Sequence, residues 1–404
     1  MSRTRGATAP ATQPAGDSRA TAARFPAELL REQIVRIFAA WGMPRDLAET
    51  TAGVMVDTDL AGVESHGIQM LSSYEALLRD GHLQPAARPE VVRETSISAL
   101  IDGRGGLGHP AALLGMRRAV DKAREAGAGF VAVRNSHHFG AAGHYAAIAA
   151  QRGMIGLVTT TTRKTVMVPT RGARPRLGTN PLAFAAPTGP DRPPFLLDMS
   201  TTTAAVNKLK VHELDDRPLP PGWVIDRDGR ELTDPATALR QLDHGLGGLT
   251  PLGGEPEQAG HKGYGLAMLV QILAGTLTGS SFGPLRDPAD GRADIGHFFM
   301  ALDPGLFRDR DDFRRDLDGV IDILHETPPT NPDLPVLVAG DPEANSRAER
   351  VRTGVPIPQN LINRLRGVCE RSGVPLLLES SAASPGTEKD TGPVSTPPTP
   401  RDVR

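Results

Sequence analysis

Histidine poses the first chemical question of this chain. Three of its eleven histidines, His137, His138 and His144, fall in the stretch RNSHHFGAAGHYA at residues 134–146. An imidazole titrates near neutral pH, so it suits proton exchange, and it is also a common metal ligand. Spacing argues against metal. His137 and His138 are neighbours and point to opposite sides of an extended chain. His144 follows His138 by six positions, which is not the i, i+4 spacing of a helical zinc pair, and no HExxH occurs. The pattern predicts no metal, acid–base work for one ring and a structural place for the other.

Three further stretches carry chemistry-bearing residues. GVESHGIQMLSSY, residues 62–74, exposes His66 on a turn after a helix, where it either exchanges protons or caps that helix. GTNPLAFAAP and LLDMSTTTAAVNK, residues 178–187 and 196–208, gather hydroxyls and backbone N–H groups suited to an anion, or to a threonine-rich helix cap. AGHKGYGLAMLVQILAG places Lys262 and Gly263 just before a long apolar helix, expected to be buried. An ammonium and a helix N-terminus would then face the same space. A solvated lysine is the plainer alternative. A fourth feature competes for a nucleotide: Gly103, Gly105 and Gly108 spell G-x-G-x-x-G between the strand SALID and a helix from Pro110. That is the Rossmann context, and Arg134 after the next strand would suit a 2′-phosphate. Glycine turns are cheap, however, in a chain with 44 glycines.

The elements that must position these groups alternate. Residues from Phe25 form a helix with Leu30, Ile34, Ile37 and Phe38 on one face, followed by a second helix in LAETTAGVMVDTDLAG. SISALIDG, GFVAVRN, MIGLVTTTT and FLLDMS read as strands; PAALLGMRRAVDKAREAG and AAGHYAAIAAQRG read as helices, giving an α/β fold. Residues 341–373 read as a loop and then a final helix. Residues 1–24 form a disordered leader, 25–379 continuous globular sequence with a helical N-terminal part, and 380–404 a disordered Pro/Ser/Thr-rich tail.

Composition narrows the class. With 404 residues and 45 basic against 47 acidic side chains, no global field points to nucleic acid or membrane. A single cysteine excludes an internal disulfide framework and suits a cytoplasmic location. No apolar run reaches the roughly 18 residues of a membrane span. Only six lysines are present, which draws attention to Lys262.

Taken in order, SHG, NSHHFG, GTNP, DMSTTT, PLGG and GHKGYGLAMLVQILAG resemble the malate/L-lactate (sulfolactate) dehydrogenase family of NAD(P)-dependent oxidoreductases, over roughly residues 26–370. The resemblance implies a non-Rossmann fold with a mixed, largely antiparallel sheet and flanking helices, a homodimer, and NAD or NADP as cofactor. It sets aside the Gly103–Gly108 reading. It also implies catalytic roles for His66 and His138, and substrate contacts from Ser65, Tyr74 and Thr162. Cofactor contacts would come from Asn180, Asp198, Met199, Ser200, Thr201, Lys262, Gly263, Gly340 and Asp341.

Two departures bear on substrate. Many relatives read SHG-x-x-R, with an arginine that can clamp a carboxylate in bidentate fashion; here Met70 stands at that position. The segment before GTNP carries Arg171, Arg174 and Arg176 in place of a Pro-x-Gly-Gly turn, offering cations to a substrate or a cofactor phosphate. The expected reaction interconverts a 2-oxo acid and a 2-hydroxy acid. Reduction of a cyclic imino acid, or a catalytically silent protein retaining the fold, are the alternatives.

Overall fold

A computed structural model describes residues 22–285 and 294–379. The chain opens on a short strand, β1 (Ala23–Phe25), followed by helices α1 (Ala27–Ala40), α2 (Arg45–Leu60) and α3 (Leu71–Arg79). Strands β2 (Glu90–Glu94) and β3 (Ser98–Asp102) precede α4 (Gly108–Ala126), β4 (Ala128–Ser136), α5 (Ala142–Ala150) and β5 (Ile155–Thr160). Next come β6 (Leu182–Ala186), β7 (Phe195–Met199), α6 (Val206–Leu214), β8 (Val224–Asp226), α7 (Pro235–His244) and β9 (Gly247–Leu249). Helix α8 (Gly260–Val270) runs into a π-helical turn at Gln271–Thr276. The chain continues through β10 (Ile295–Leu302), α9 (Arg310–His325), α10 (Asp341–Thr353), β11 (Val355–Ile357) and α11 (Gln359–Ser372).

The central sheet has seven strands in the order β2-β3-β4-β10-β5-β6-β7. Only β3 and β4 run parallel, joined by the α4 crossover; the other neighbouring pairs are antiparallel. The sheet is therefore mixed and largely antiparallel, unlike a parallel Rossmann sheet. Period-two alternation sorts β10 between two layers. Phe299 and Ala301 pack with α4 and α5, while Phe298 and Met300 pack with Val270 and Ala274 of the α8 segment. Small residues draw α5 close. A Cβ on Gly156 would lie 2.7 Å from the Ala146 carbonyl oxygen.

A second core joins both ends of the chain. Leu30, Ile34, Ile37 and Phe38 of α1 are fully buried against Met55, Leu71 and Tyr74, and against Leu365 and Val368 of α11. β1 pairs antiparallel with β11, so Ala23 and Arg24 are ordered, which corrects the leader's expected boundary at residue 24. Pairing of backbone groups, to which a composition argument is blind, extends the fold by these residues. The rest of the leader, to residue 21, and the tail 380–404 lie outside the described residues.

Two other expectations need correction. Residues 341–353 form α10, not a loop. Its sequence DPEANSRAERVRT is polar nearly all round and lacks an apolar stripe; Pro342 in the first turn and the long buried reach of Arg350 hold it instead. The α8 segment, expected to be buried, covers the sheet with one face only. Met268, Leu269, Ile272 and Leu277 are exposed, Leu277 at 61%. Among the described residues no helix is long and apolar enough to cross a membrane.

Candidate active site

The SHG turn is built from beneath. α2 ends at Leu60, and the carboxylate of Asp59, buried under the turn, accepts the Ile68 N–H at 2.8 Å. A Cβ on Gly67 would sit 1.7 Å from that carboxylate, so only glycine lets the turn close over it. Burial pushes the Asp59 carboxyl up to about 8. Arg350 of α10 braces the same corner, donating to the Asp59 carbonyl at 2.6 Å and pairing with Glu64 at 2.5 Å. Sequence reasoning missed this brace because it missed the helix that carries it.

The NSHHFG turn is seated from the other side by the glycines of the G-x-G-x-x-G stretch. Gly103 N–H donates to the Arg134 carbonyl, Gly105 N–H to Asn135, Gly106 N–H to Gly103 and Gly108 N–H to His138. These donors are spent inside the protein, leaving no cradle for a phosphate. A Cβ on Gly108 would lie 2.3 Å from the His137 carbonyl oxygen, and one on Gly103 2.9 Å from that of Asn135. The glycines serve close approach of two backbones. A dinucleotide fingerprint in its proper strand–helix context thus has a packing cause.

Between these turns His66 and His138 stack, with ring centroids 5.3 Å apart at 27°. Both residues are partly accessible. Tyr74, fully buried, bonds His138 Nδ1 through its hydroxyl at 2.7 Å, and the Gly140 N–H reaches the same nitrogen at 3.4 Å. The Tyr74 hydroxyl can donate to this nitrogen or accept from it, so either neutral tautomer of the ring keeps the bond. Tyr74, expected against substrate, thus bonds His138 directly. Ser65 Oγ lies 2.7 Å from His66 Nδ1.

The cluster is richer in imidazole than the motifs indicate. His109, fully buried, meets Tyr74 edge-on at 5.9 Å and His138 at 6.5 Å. His297 on β10 stacks on Phe139 at 4.4 Å, bonded to Thr160 Oγ1 at 2.7 Å and Ser136 Oγ at 3.0 Å. His109 hid inside the glycine stretch, and His297 inside an apolar strand with no motif to mark it. Desolvation pushes His66 down to about 4, and His109 and His297 to about 3. His138 lies well below its ordinary value, through desolvation and then the charges of neighbouring imidazoles. The rings are neutral at pH 7, below the near-neutral titration expected of exposed histidine. His137 is buried, its Nε2 2.8 Å from the His82 carbonyl. His144 pairs with Asp57 at 2.7 Å, which also holds Arg347 of α10.

The residues expected at the cofactor knit together at one end of β6 and β7. Thr201 N–H donates to Thr179, Leu252 N–H to Thr201, and Gly263 N–H to Leu252. Asn180 Nδ2 donates to the Ala267 carbonyl at 3.1 Å. Thr162 adjoins this knot: a Cβ on Gly178 would lie 1.7 Å from its hydroxyl oxygen. Gly340, at φ +104°, lies against Leu196 of β7, and the Asp341 carboxylate is held by His325 at 2.7 Å and Val338 N–H at 2.8 Å.

Burial separates the expected contacts into two kinds. Asn180 and Thr201 are buried and bonded internally, so they shape the site; Met199 and Ser200 are partly accessible. Asp198 is accessible on one side, while its Oδ2 accepts the Gly143 N–H of α5 at 2.6 Å. Desolvation by the surrounding protein pushes this carboxyl up to about 6. Lys262 is exposed, with no ion pair among the described residues. It lies within the first turn of α8, not before it, and the Gly260, Lys262 and Gly263 N–H groups already meet carbonyls. Its ammonium, more than the helix terminus, is what the site offers an anion. Arg171, Arg174 and Arg176 are all exposed. An open carboxylate and a free ammonium on a hydroxyl-lined wall are a donor set that fits the ribose diols and phosphates of a dinucleotide. The Asp198–Gly143 bond joins this wall to the segment bearing His138.

Known proteins resemble this chain over most of its length. The family model described as malate/L-lactate dehydrogenase matches residues 25–366. Malate dehydrogenase of Pyrococcus horikoshii is 36% identical over 353 residues, 87% of this chain and 96% of that protein. L-sulfolactate dehydrogenase of Methanocaldococcus jannaschii is 33% identical over 347 residues, 85% of this chain and 96% of that one. The crystal structure of malate dehydrogenase from Entamoeba histolytica superposes with a TM-score of 0.83 at 29% identity, covering 88% of this chain and 99% of that one.

Proposed function

The chain belongs to the malate/L-lactate dehydrogenase family of NAD(P)-dependent oxidoreductases, and from that premise we propose that it interconverts a 2-oxo acid and a 2-hydroxy acid with His138 as the proton-exchanging group. The observation that carries this reading is the Tyr74 hydroxyl on His138 Nδ1, with His66 stacked on the same ring. A tyrosine hydroxyl both donates and accepts. Burial holds the Tyr74 phenol well above its ordinary value, so it stays protonated. While it donates to Nδ1, the Nε2–H of His138 is a hydrogen-bond donor for the substrate oxygen. In the other neutral tautomer it accepts from Nδ1–H, so Nε2 carries no proton and takes that of the 2-hydroxyl during oxidation, leaving the ring protonated at both nitrogens. In reduction the protonated ring returns that proton to the oxygen. His66 orients the substrate from the adjoining plane, and Ser65 fixes His66. The cofactor, when bound, supplies or accepts two reducing equivalents at the carbon.

Asp198 and Lys262 hold the cofactor, with Gly263, Gly340 and Asp341 shaping the wall and Met199, Ser200 and Thr162 lining it. Met70 packs partly into the helical core, so the turn after His66 offers an apolar neighbour where an arginine would grip a second acid group. This favours a 2-oxo acid with an apolar side chain. The exposed apolar face of α8 supports a homodimer, because such a face is stabilised by a second copy. A cytoplasmic location accords with the diffusible cofactor and the lone cysteine. A panel of 2-oxo acids with apolar, carboxylate and sulfonate side chains, plus one cyclic imino acid, tests the reading with both cofactors. The readout is absorbance at roughly 340 nm, where the reduced nicotinamide absorbs. The apolar 2-oxo acid should give the highest kcat/KM. Turnover of the cyclic imine alone would overturn the proposal.

A further inference from the structure

A cleft of about 540 Å³ lies between α2, α4 and α5, with α1 at its rim. That is ample for a metabolite-sized molecule. None of the residues assigned above to substrate or cofactor lines it. Its floor is apolar, formed by Val54, Leu113 and Ile148, and three arginines stand around it: Arg31 from α1, Arg117 from α4, and Arg152 just beyond α5. All three are exposed and none has an ion pair among the described residues. The cleft also holds two carboxylates, but each is already committed. Asp46 takes both arms of Arg88, at 2.7 and 2.9 Å, and Glu49 is bonded to Arg45 at 2.8 Å. The three guanidinium groups are thus left uncompensated around an apolar floor.

Uncompensated cations on three separate helical segments repel one another unless an anion lies between them. Guanidinium groups match carboxylate and phosphate in planar, two-pronged fashion, and an apolar floor suits a carbon skeleton. We propose that this cleft binds a small organic anion carrying two or more acidic groups, at a site separate from the reaction centre. The cleft backs onto the catalytic turn. Val54, on its floor, belongs to the same core cluster as Phe139, and its Cγ1 lies 3.5 Å from where a Cβ on Gly140 would be. A ligand pressed on Val54 therefore bears on the segment carrying His138. His144, on the cleft wall, leads to Asp57 and through it to Arg347.

Propane-1,2,3-tricarboxylate, which lacks a hydroxyl or keto group to react, is the probe. Calorimetry at constant ionic strength should show one saturable site per chain in the wild type. Saturating reduced cofactor together with oxamate, a 2-oxo acid analogue, should not displace it. R117Q/R152Q should weaken binding by roughly tenfold or more, the scale expected for losing two charge-assisted contacts at a partly open site. KM for the 2-oxo acid should stay unchanged in that variant, since neither arginine lies at the reaction site. No saturable binding, binding equal in R117Q/R152Q, or displacement by oxamate with cofactor would each overturn the proposal. These outcomes are independent of which 2-oxo acid the enzyme prefers.

Discussion

The histidine cluster and the Asp198–Lys262 wall serve one reaction in the proposed function but are made differently. The cluster is packed, aromatic and largely dry: His109 and His297 are fully buried and His66 is held in its neutral form. The wall is open and its charged groups wait for a partner: Asp198 is accessible, and Lys262 has no counter-ion among the described residues. Chemistry on a proton needs a ring whose position is fixed, and packing supplies that. Holding a diffusible, charged cofactor needs groups that remain accessible until it arrives. Mutations on the two sides should therefore fail in different kinetic parameters.

The largest effect is expected at His138. His138→Ala should lower kcat by roughly 100-fold or more, the scale of a lost general acid–base, while cofactor affinity holds. A loss confined to cofactor binding would put His138 on the wrong side of the comparison. Lys262→Met tests the opposite side. It keeps the stem's bulk, removes the charge, and should weaken the cofactor's Kd by roughly ten- to a hundredfold, the equivalent of about 1.5–3 kcal/mol for a hydrogen bond to a charged group. Fluorescence titration with reduced cofactor measures it. Unchanged affinity in a folded variant would make Lys262 a bystander.

The two sides also differed in what the sequence made visible. Motifs marked the accessible residues, His66, His138, Asp198 and Lys262, because each stands in a short stretch that resembles the family's. They did not mark residues that act by packing. Asn180 and Thr201 sit in a motif yet are buried and bonded inward, a distinction that only the fold makes. Tyr74 lies 64 positions from His138, and no local pattern announces a hydroxyl behind a ring. The helix carrying Arg347 and Arg350 has no apolar stripe, so periodicity, the main sign of a helix, is silent there. The strands and helices around β3, β4 and β5 were legible because their burial follows period two or period 3.6.

A pH experiment sharpens the contrast in dryness. His66, His109, His138 and His297 have folded values depressed below the roughly 6.5 of an unfolded histidine. As pH falls below about 6.5 the unfolded chain takes up protons that the folded rings refuse, so stability drops until about pH 3. Asp59 and Asp198 act oppositely. Their raised folded values favour the folded chain at low pH, and that contribution is lost as pH rises through about 6 for Asp198 and about 8 for Asp59. His109→Phe isolates one ring, since neither imidazole nitrogen of His109 has a hydrogen-bond partner among the described residues. Denaturant unfolding between pH 4 and 6 should show a shallower slope in the variant, by up to one proton's worth, about 1.4 kcal/mol per pH unit. An unaltered slope would mean that His109 titrates as an ordinary histidine.

The smallest effect separates packing from recognition within the glycine stretch. Gly105 adopts φ +74°, a left-handed conformation that costs a non-glycine residue about 1 kcal/mol. An alanine Cβ there would meet only the Gln84 side chain, Cγ at 3.4 Å and Cβ at 3.9 Å, ordinary van der Waals contact, so Gly105→Ala should fold with a loss of about that size. Its N–H already donates to the Asn135 carbonyl at 2.8 Å. If the stretch serves to seat the histidine turn, alanine strains the backbone, lowers the denaturation midpoint slightly, and leaves the cofactor's Kd alone. If a pyrophosphate lay on this turn, as its spelling suggests, a methyl group at the closest backbone approach would push the phosphates away. Affinity would then fall well beyond the change in stability. Titrating both cofactors into wild type and Gly105→Ala distinguishes the cases, and a marked loss of affinity would move the cofactor from the Asp198–Lys262 wall to the far side of His138.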